Sequence, residues 1–231
     1  MRAACILPAA GLGTRMGADI PKPFLPLAGT PAVIHAVERV RRAVELVACV
    51  LVLPASWLDG VEARYGAALR AAGVTAMVPG GAARQESVAR GLAALGTDCD
   101  VVLVHDAVRP FPSARMIREC CAAALENGGA LPVLPITDTI KRLDGDCIGQ
   151  TVPREGLYAV QTPQVFRREL LAAAYRNPGR LDASVTDDAM LVEAIGGRVR
   201  AIAGDRFNIK LTTPEDLRIA EAWLAAGIVS E

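Results

Sequence analysis

Short apolar runs alternate along the chain with longer segments whose apolar positions recur at helical spacing. Runs at Ala4–Leu7, Val50–Leu53, Val74–Val78, Val101–Val104, Ala130–Leu134 and Arg198–Ile202 predict strands, several of them apolar at nearly every position. A half-exposed strand alternates apolar with polar, whereas a nearly continuous apolar strand is covered on both faces. Parallel strands sandwiched between helices have that pattern. The segments Ala32–Arg42, Leu58–Ala72, Ala83–Ala94, Ala114–Asn127, Arg168–Tyr175 and Asp188–Ile195 predict the helices. A last helix is announced by Thr213-Pro214-Glu215-Asp216. Its start has an N-capping threonine, a proline at the first helical position and two acids at the positive end of the helix dipole. Strand–helix alternation of this kind predicts a layered α/β fold with a mostly parallel sheet.

One stretch departs from the rhythm. Residues 137–156 read TDTIKRLDGDCIGQTVPREG, with Asp144-Gly145 between two polar, alternating segments. That is a hairpin pattern. The hairpin projects either as an ordinary surface flap or as an arm that reaches a second subunit. No internal repeat, low-complexity tract or linker interrupts the rest, so residues 1–231 read as one domain carrying this excursion.

Composition narrows the classes. The 231 residues are 52% hydrophobic but only 4% aromatic, enough for a substantial core. No apolar run approaches the roughly 20 residues of a membrane span. The start, Met1 to Pro8, passes from a short apolar run into glycine-rich sequence, which reads as a first strand and not as a signal peptide. Lysine plus arginine and aspartate plus glutamate both total 25, which argues against bulk binding to nucleic acid or an anionic membrane. Cys5, Cys49, Cys99, Cys120, Cys121 and Cys147 form no Cys-x-x-Cys pair, so they read as free thiols of a reducing, cytoplasmic compartment and not as zinc ligands.

The chemistry gathers in a few loops. The first strand runs into Pro8-Ala9-Ala10-Gly11-Leu12-Gly13-Thr14-Arg15-Met16-Gly17, followed by Ile20-Pro21-Lys22-Pro23. Gly11 and Gly13 allow a tight turn whose N–H groups approach an anion. The third glycine falls one position late for a dinucleotide fingerprint, and no Gly-Lys-Ser/Thr follows. Arg15 and Lys22 add a guanidinium fork and a point charge suited to phosphate oxygens. Further loops carry Gly80-Gly81-Ala82-Ala83-Arg84-Gln85-Glu86-Ser87, His105-Asp106-Ala107-Val108-Arg109-Pro110, Asp138-Thr139-Ile140-Lys141, Gln161-Thr162-Pro163-Gln164 and Asn208-Ile209-Lys210-Leu211-Thr212.

Taken in this order, LPAAGLGTRM with PKPFL and the loops that follow resemble the 2-C-methyl-D-erythritol 4-phosphate cytidylyltransferase family of the non-mevalonate isoprenoid pathway. The match runs from Ile6 to the last helix. Two departures stand out: Val108 replaces a usual alanine, and Ala82 stands where an acid is common. The resemblance implies a Rossmann-like, three-layer nucleotidyltransferase fold and a Mg²⁺-dependent transfer of a cytidylyl group from CTP to a polyol phosphate. A phosphate monoester nucleophile is already ionised near neutral pH. Such a reaction therefore needs positioning and charge stabilisation more than a general base.

By the same resemblance Arg15, Lys22, Arg154 and Lys210 are catalytic, and Ala9, Ala10, Gly11, Gly13, Gly81, Ala82 and Ser87 surround the CTP. Asp106, Arg109, Thr139, Arg154 and Thr162 bind the acceptor, and Asp106 holds Mg²⁺, ribose or acceptor hydroxyls. Arg154 and Thr162 are expected from the neighbouring subunit of a homodimer with exchanged arms, residues 137–156. The chain stops just after the last helix, which predicts no fused cyclase. His35 and His105 read as structural, and Thr186-Asp187-Asp188 as a helix start. Two rival readings keep the fold: a cytidylyltransferase for another polyol phosphate such as ribitol 5-phosphate, and a non-catalytic nucleotide-binding protein.

Overall fold

The computed structural model describes residues 1–10, 21–96, 98–177 and 185–229. The strands are β1 (Ala3–Pro8), β2 (Pro26–Leu27), β3 (Thr30–Pro31), β4 (Leu46–Leu53), β5 (Ala76–Pro79), β6 (Val101–Val104), β7 (Gly129–Pro135), β8 (Ile140–Asp144), β9 (Cys147–Val152), β10 (Tyr158–Val160), β11 (Gln164–Arg167) and β12 (Val199–Ala203). The helices are α1 (Ala32–Ala43), α2 (Leu58–Ala72), α3 (Arg84–Ala94), α4 (Ala114–Asn127), α5 (Arg168–Arg176), α6 (Asp188–Ala194) and α7 (Pro214–Ala225). Every predicted strand and helix is present, with ends moved by a few residues.

Strands β5, β4, β1 and β6 lie side by side and parallel. Their side chains divide by alternation, as the pleat requires. Ala3, Cys5 and Leu7 of β1 face one core with α1, α2 and α4, whereas Ala4 and Ile6 face the other with α3, α5 and α6. That two-sided covering explains why these strands are apolar at every position. Cys5 and Cys49 are cross-strand neighbours within the first core, and all six cysteines are free thiols. Helix α3 crosses β1 and β4 at Gly91, where an added Cβ would lie 2.6 Å from Ile6 Cγ2. A third, smaller cluster joins Leu27, Phe111 and Leu211 to Ala220 of α7.

The far half of the sheet is where the sequence reading fell short. Strand β11 is antiparallel to both β6 and β7, and β12 pairs parallel with the other edge of β7. Strands β10 and β11 are one strand interrupted. Val160 pairs with Val133 and Val165 with Ala130, so residues 160 to 165 span what 133 to 130 span opposite. The two surplus residues bulge out of the ladder at Thr162-Pro163, whose peptide bond is cis. Both strands are short, and α5 begins directly after Arg167, leaving no turn signal to mark them.

Strands β8 and β9 form the expected hairpin, paired with each other and apart from the main sheet. Asp144 pairs with Cys147, so the turn residues are Gly145 and Asp146, with Gly145 at φ 57°. Positive φ at the first central position is what a two-residue hairpin turn demands. Among the described residues, no helix is long and apolar enough to cross a membrane.

Candidate active site

Open α/β sheets bind ligands beyond the carboxyl ends of their strands, where the strand order reverses. Here the chain goes from β1 to β4 and β5 on one side, then returns to β6 on the other. A cavity of about 320 Å³ lies at that point, lined by Pro8–Ala10 after β1, Gly81–Arg84 after β5, and Asp106 and Val108 after β6. Lys22, Pro23, Ser87 and Lys210 through Thr212 complete the wall.

Each wall is fixed by a local device. In the loop before α3, Ser87 Oγ accepts the Gly81 N–H at 3.1 Å and bonds the Ala83 carbonyl, while Glu86 accepts the Ala82 N–H at 2.9 Å. Side chains from the first helical turn thus fold the loop back over the helix start. On the opposite wall, Thr213 and Asp216 form a capping box at α7. Asp216 also accepts from the N–H and hydroxyl of Thr212, at 2.8 and 2.6 Å. The Thr212 carbonyl in turn receives Lys22 Nζ at 2.8 Å, so the helix cap orients a cavity lysine.

Positive charge converges on one carboxylate. Asp106 Oδ2 lies 3.0 Å from Lys210 Nζ and 3.4 Å from Arg109 Nε. Burial by itself would push the Asp106 carboxyl up, but Lys210, Arg109 and Arg84 outweigh it and hold the group below the usual carboxylate range. Arg109 also donates to the Asn208 carbonyl at 2.8 Å. Ser113 caps α4 by accepting Met116 N–H, so Asp106 is not spent on that helix.

The family model of 2-C-methyl-D-erythritol 4-phosphate cytidylyltransferase matches residues 3–226. The chain belongs to this family. A cytidylyltransferase of that name from Frankia casuarinae is 43% identical over 226 residues, covering 97% of this chain and 82% of the relative. A bifunctional IspD/IspF enzyme from Desulfotalea psychrophila is 40% identical over 224 residues, and there the match spans 56% of the relative's length. Among solved structures, the family member from Thermus thermophilus superposes with a TM-score of 0.80 at 36% identity, over 97% of this chain and 100% of that one. The synthase from Anaerococcus prevotii gives 0.80 at 30% identity, over 96% and 98%.

In this cytidylyltransferase-family chain, Ala9, Ala10, Lys22, Gly81, Ala82, Ser87, Asp106 and Lys210 come together around the cavity. Gly11, Gly13 and Arg15 lie outside the described residues. Arg109 stands behind Asp106 as its ion-pair partner. Thr139 and Arg154 are exposed, are not among the lining residues, and Arg154 bonds the Thr137 carbonyl beside the hairpin.

Thr162 requires a correction. The resemblance places it on a neighbouring subunit, yet it is buried beside Asp106 of its own chain, with Oγ1 3.0 Å from the Asp106 N atom. The two-residue bulge between β10 and β11 carries it there.

Arg84 and Asp188 are site residues that the sequence reading missed. Arg84 lines the cavity, and its guanidinium meets the fully buried Asp188 at 2.8 Å. Tyr175 donates to the same carboxylate at 2.5 Å. Burial would lower the Arg84 pKa, but the Asp188 charge raises it overall. Asp187, not Asp188, is the N-cap of α6, accepting Met190 N–H at 3.1 Å. Two adjacent aspartates at a helix start conceal that division of labour, because either could serve as the cap.

Proposed function

We propose that the chain transfers the cytidylyl group of CTP to 2-C-methyl-D-erythritol 4-phosphate, releasing pyrophosphate and giving 4-diphosphocytidyl-2-C-methyl-D-erythritol. The observation that carries this reading is the set of cations, Lys22, Arg84 and Lys210, around one cavity at the switch point of the sheet. An acceptor phosphate oxygen attacks the α-phosphorus in line. A new P–O bond forms as the bond to the β,γ-diphosphate breaks, and pyrophosphate leaves with the bridging oxygen. The cost lies in bringing two polyanions together and in the charge spread over the transferring group, so fixed cations supply the catalysis. No residue has to remove a proton.

In this reading the base lies against the small residues Ala9, Ala10, Gly81 and Ala82 of the cavity wall. Among the described residues no group of three or more metal-ligating side chains occurs, which argues against an all-protein cage. One ionised carboxylate fits Mg²⁺, which takes one or two carboxylates together with phosphate oxygens and water. Asp106 is the carboxylate that would hold it. When bound, the ion would neutralise charge on the triphosphate.

The reading includes a homodimer in which the arm of one subunit brings Thr139 and Arg154 to the other's cavity. Exposed apolar residues support it: Leu143 and Ile148 on the hairpin are 68% and 67% accessible, and Tyr158 and Val160 follow on β10. A cytoplasmic location agrees with six unpaired thiols. Pyrophosphate release measured with CTP, Mg²⁺ and 2-C-methyl-D-erythritol 4-phosphate, against ribitol 5-phosphate and the other nucleoside triphosphates, tests the reading. Release confined to CTP and the methylerythritol phosphate is expected. Release with ribitol phosphate instead would move the acceptor, and none with any acceptor would overturn the proposal.

A further inference from the structure

His105 is fully buried and does not line the cavity, yet it sits beneath the turn that carries Asp106 and Arg109. Its Nε2 is 3.0 Å from the Arg109 carbonyl oxygen. A carbonyl only accepts, so Nε2 carries the proton, and in a neutral imidazole Nδ1 is left as an acceptor. The Thr162 hydroxyl, 3.0 Å from Nδ1, must be the donor there. Its oxygen then accepts the Asp106 N–H at 3.0 Å. Each bond dictates the direction of the next, from Asp106 N–H through Thr162 to His105 and on to the Arg109 carbonyl. The Arg109 N–H closes the turn on the Asp106 carbonyl at 2.9 Å. Asn208 Nδ2 holds the Thr162 carbonyl at 2.8 Å, fixing the bulge from behind.

This arrangement bears on Thr162. A phosphate oxygen accepts hydrogen bonds, so a hydroxyl binds it by donating. Thr162 has one such proton, and it is committed to His105. We propose that Thr162 is a positioning residue and not a phosphate-binding one: its hydroxyl, aimed by His105, holds the 106–109 turn so that Asp106, backed by Arg109, presents its carboxylate to the cavity. The ring is fully buried, where a charged imidazolium is disfavoured, and this supports the fixed tautomer. The inference rests on the proposed function for the identity of the acceptor and on the bonds above for everything else.

Two measurements test it. The first is the ¹⁵N spectrum of His105 at pH 7.5, recorded on the free protein and again with CMP and 2-C-methyl-D-erythritol 4-phosphate, which cannot react together. A neutral Nε2–H tautomer with Nδ1 still hydrogen-bonded in both states is expected. Loss of the Nδ1 hydrogen bond when the phosphate binds would mean that the hydroxyl turns to the ligand, and would overturn the proposal. The second is a kinetic cycle of Thr162→Val, His105→Gln and the double variant. Glutamine keeps a donor for the Arg109 carbonyl and removes the Nδ1 acceptor.

Each single variant should raise the acceptor KM about tenfold, the scale of one misplaced charged contact, and the double should be no worse than the poorer single. A merely structural role would lower the active fraction without moving KM. An unchanged acceptor KM in His105→Gln beside a raised one in Thr162→Val, or losses that multiply in the double, would assign the hydroxyl to the substrate. If His105→Gln does not fold, the spectrum alone decides. If wild type releases no pyrophosphate, the proposed function fails while the spectrum still decides the role of Thr162.

Discussion

Asp106 shows how a single residue acquires its chemistry from its neighbours. An aspartate sheltered to this extent would ordinarily resist ionisation, but Lys210 and Arg109 on its Oδ2 reverse the balance. Removing Lys210 therefore does two things: it takes a cation from the cavity, and it takes an ion-pair partner from Asp106. Lys210→Ala should lower kcat by about 10² to 10³, the range seen when a single charge-stabilising group is lost. Lys210 is half exposed, so the melting temperature should barely change. Steady-state pyrophosphate release with a parallel thermal scan checks both.

His105 gives a second prediction at this scale, one of stability. Burial lowers its pKa from 6.5 to about 4. The unfolded chain takes up a proton below about 6.5 and the folded chain only near 4, so between those values the unfolded state binds more protons. Stability should fall as pH drops through that window, by on the order of 3 kcal/mol from this group, and be fully present above it. Urea unfolding at pH 7 and pH 4.5 measures the difference, and His105→Gln should remove that share of it. The sequence reads both histidines as structural, and their bonds agree: His35 bonds the Leu27 carbonyl and His105 that of Arg109.

At the scale of elements, α3 and α7 matter because their first turns shape cavity walls. Helix α3 reaches β1 so closely at Gly91 that Ile6 and Val52 leave no room for a methyl. Gly91→Ala should destabilise the fold by about 1–3 kcal/mol through overpacking, despite alanine's better helix propensity. Chemical denaturation distinguishes the two effects by sign. The start of helix α7 was legible to the residue, because the N-cap threonine, the proline and the acid three positions on are local signals. Thr213→Ala should cost about 1 kcal/mol. It should also raise the KM for CTP, since Thr212 bonds Asp216 of the same cap and holds Lys22. Strand β11 was not legible, because a four-residue strand takes its identity from the neighbours it pairs with.

For the whole molecule, the decisive arrangement is the sheet order, which sets the carboxyl ends of β1, β5 and β6 around one space. The hairpin, with its apolar side chains exposed, belongs to this scale too. Under the proposed exchange of arms, Leu143→Ser with Ile148→Ser should shift the protein from dimer to monomer in sedimentation. Arg154→Ala should impair use of the acceptor while leaving the dimer intact. A monomeric wild type, or unchanged acceptor kinetics in Arg154→Ala, would count against the exchanged arm.

The alternation of covered strands and helices, the capped last helix, the hairpin and the motifs that carry Lys22, Asp106 and Lys210 can be read along the chain without its fold. These are written in hydrophobic period, turn chemistry and residue type, which act over a few neighbouring positions. Folding in three dimensions was needed to pair Arg84 with a buried Asp188 more than a hundred positions away and to seat Thr162 beneath its own chain's Asp106. It alone decided, too, that an antiparallel strand separates β6 from β7. Those outcomes depend on which distant groups must satisfy each other's charge and hydrogen bonds once water is excluded, and no local pattern encodes that pairing.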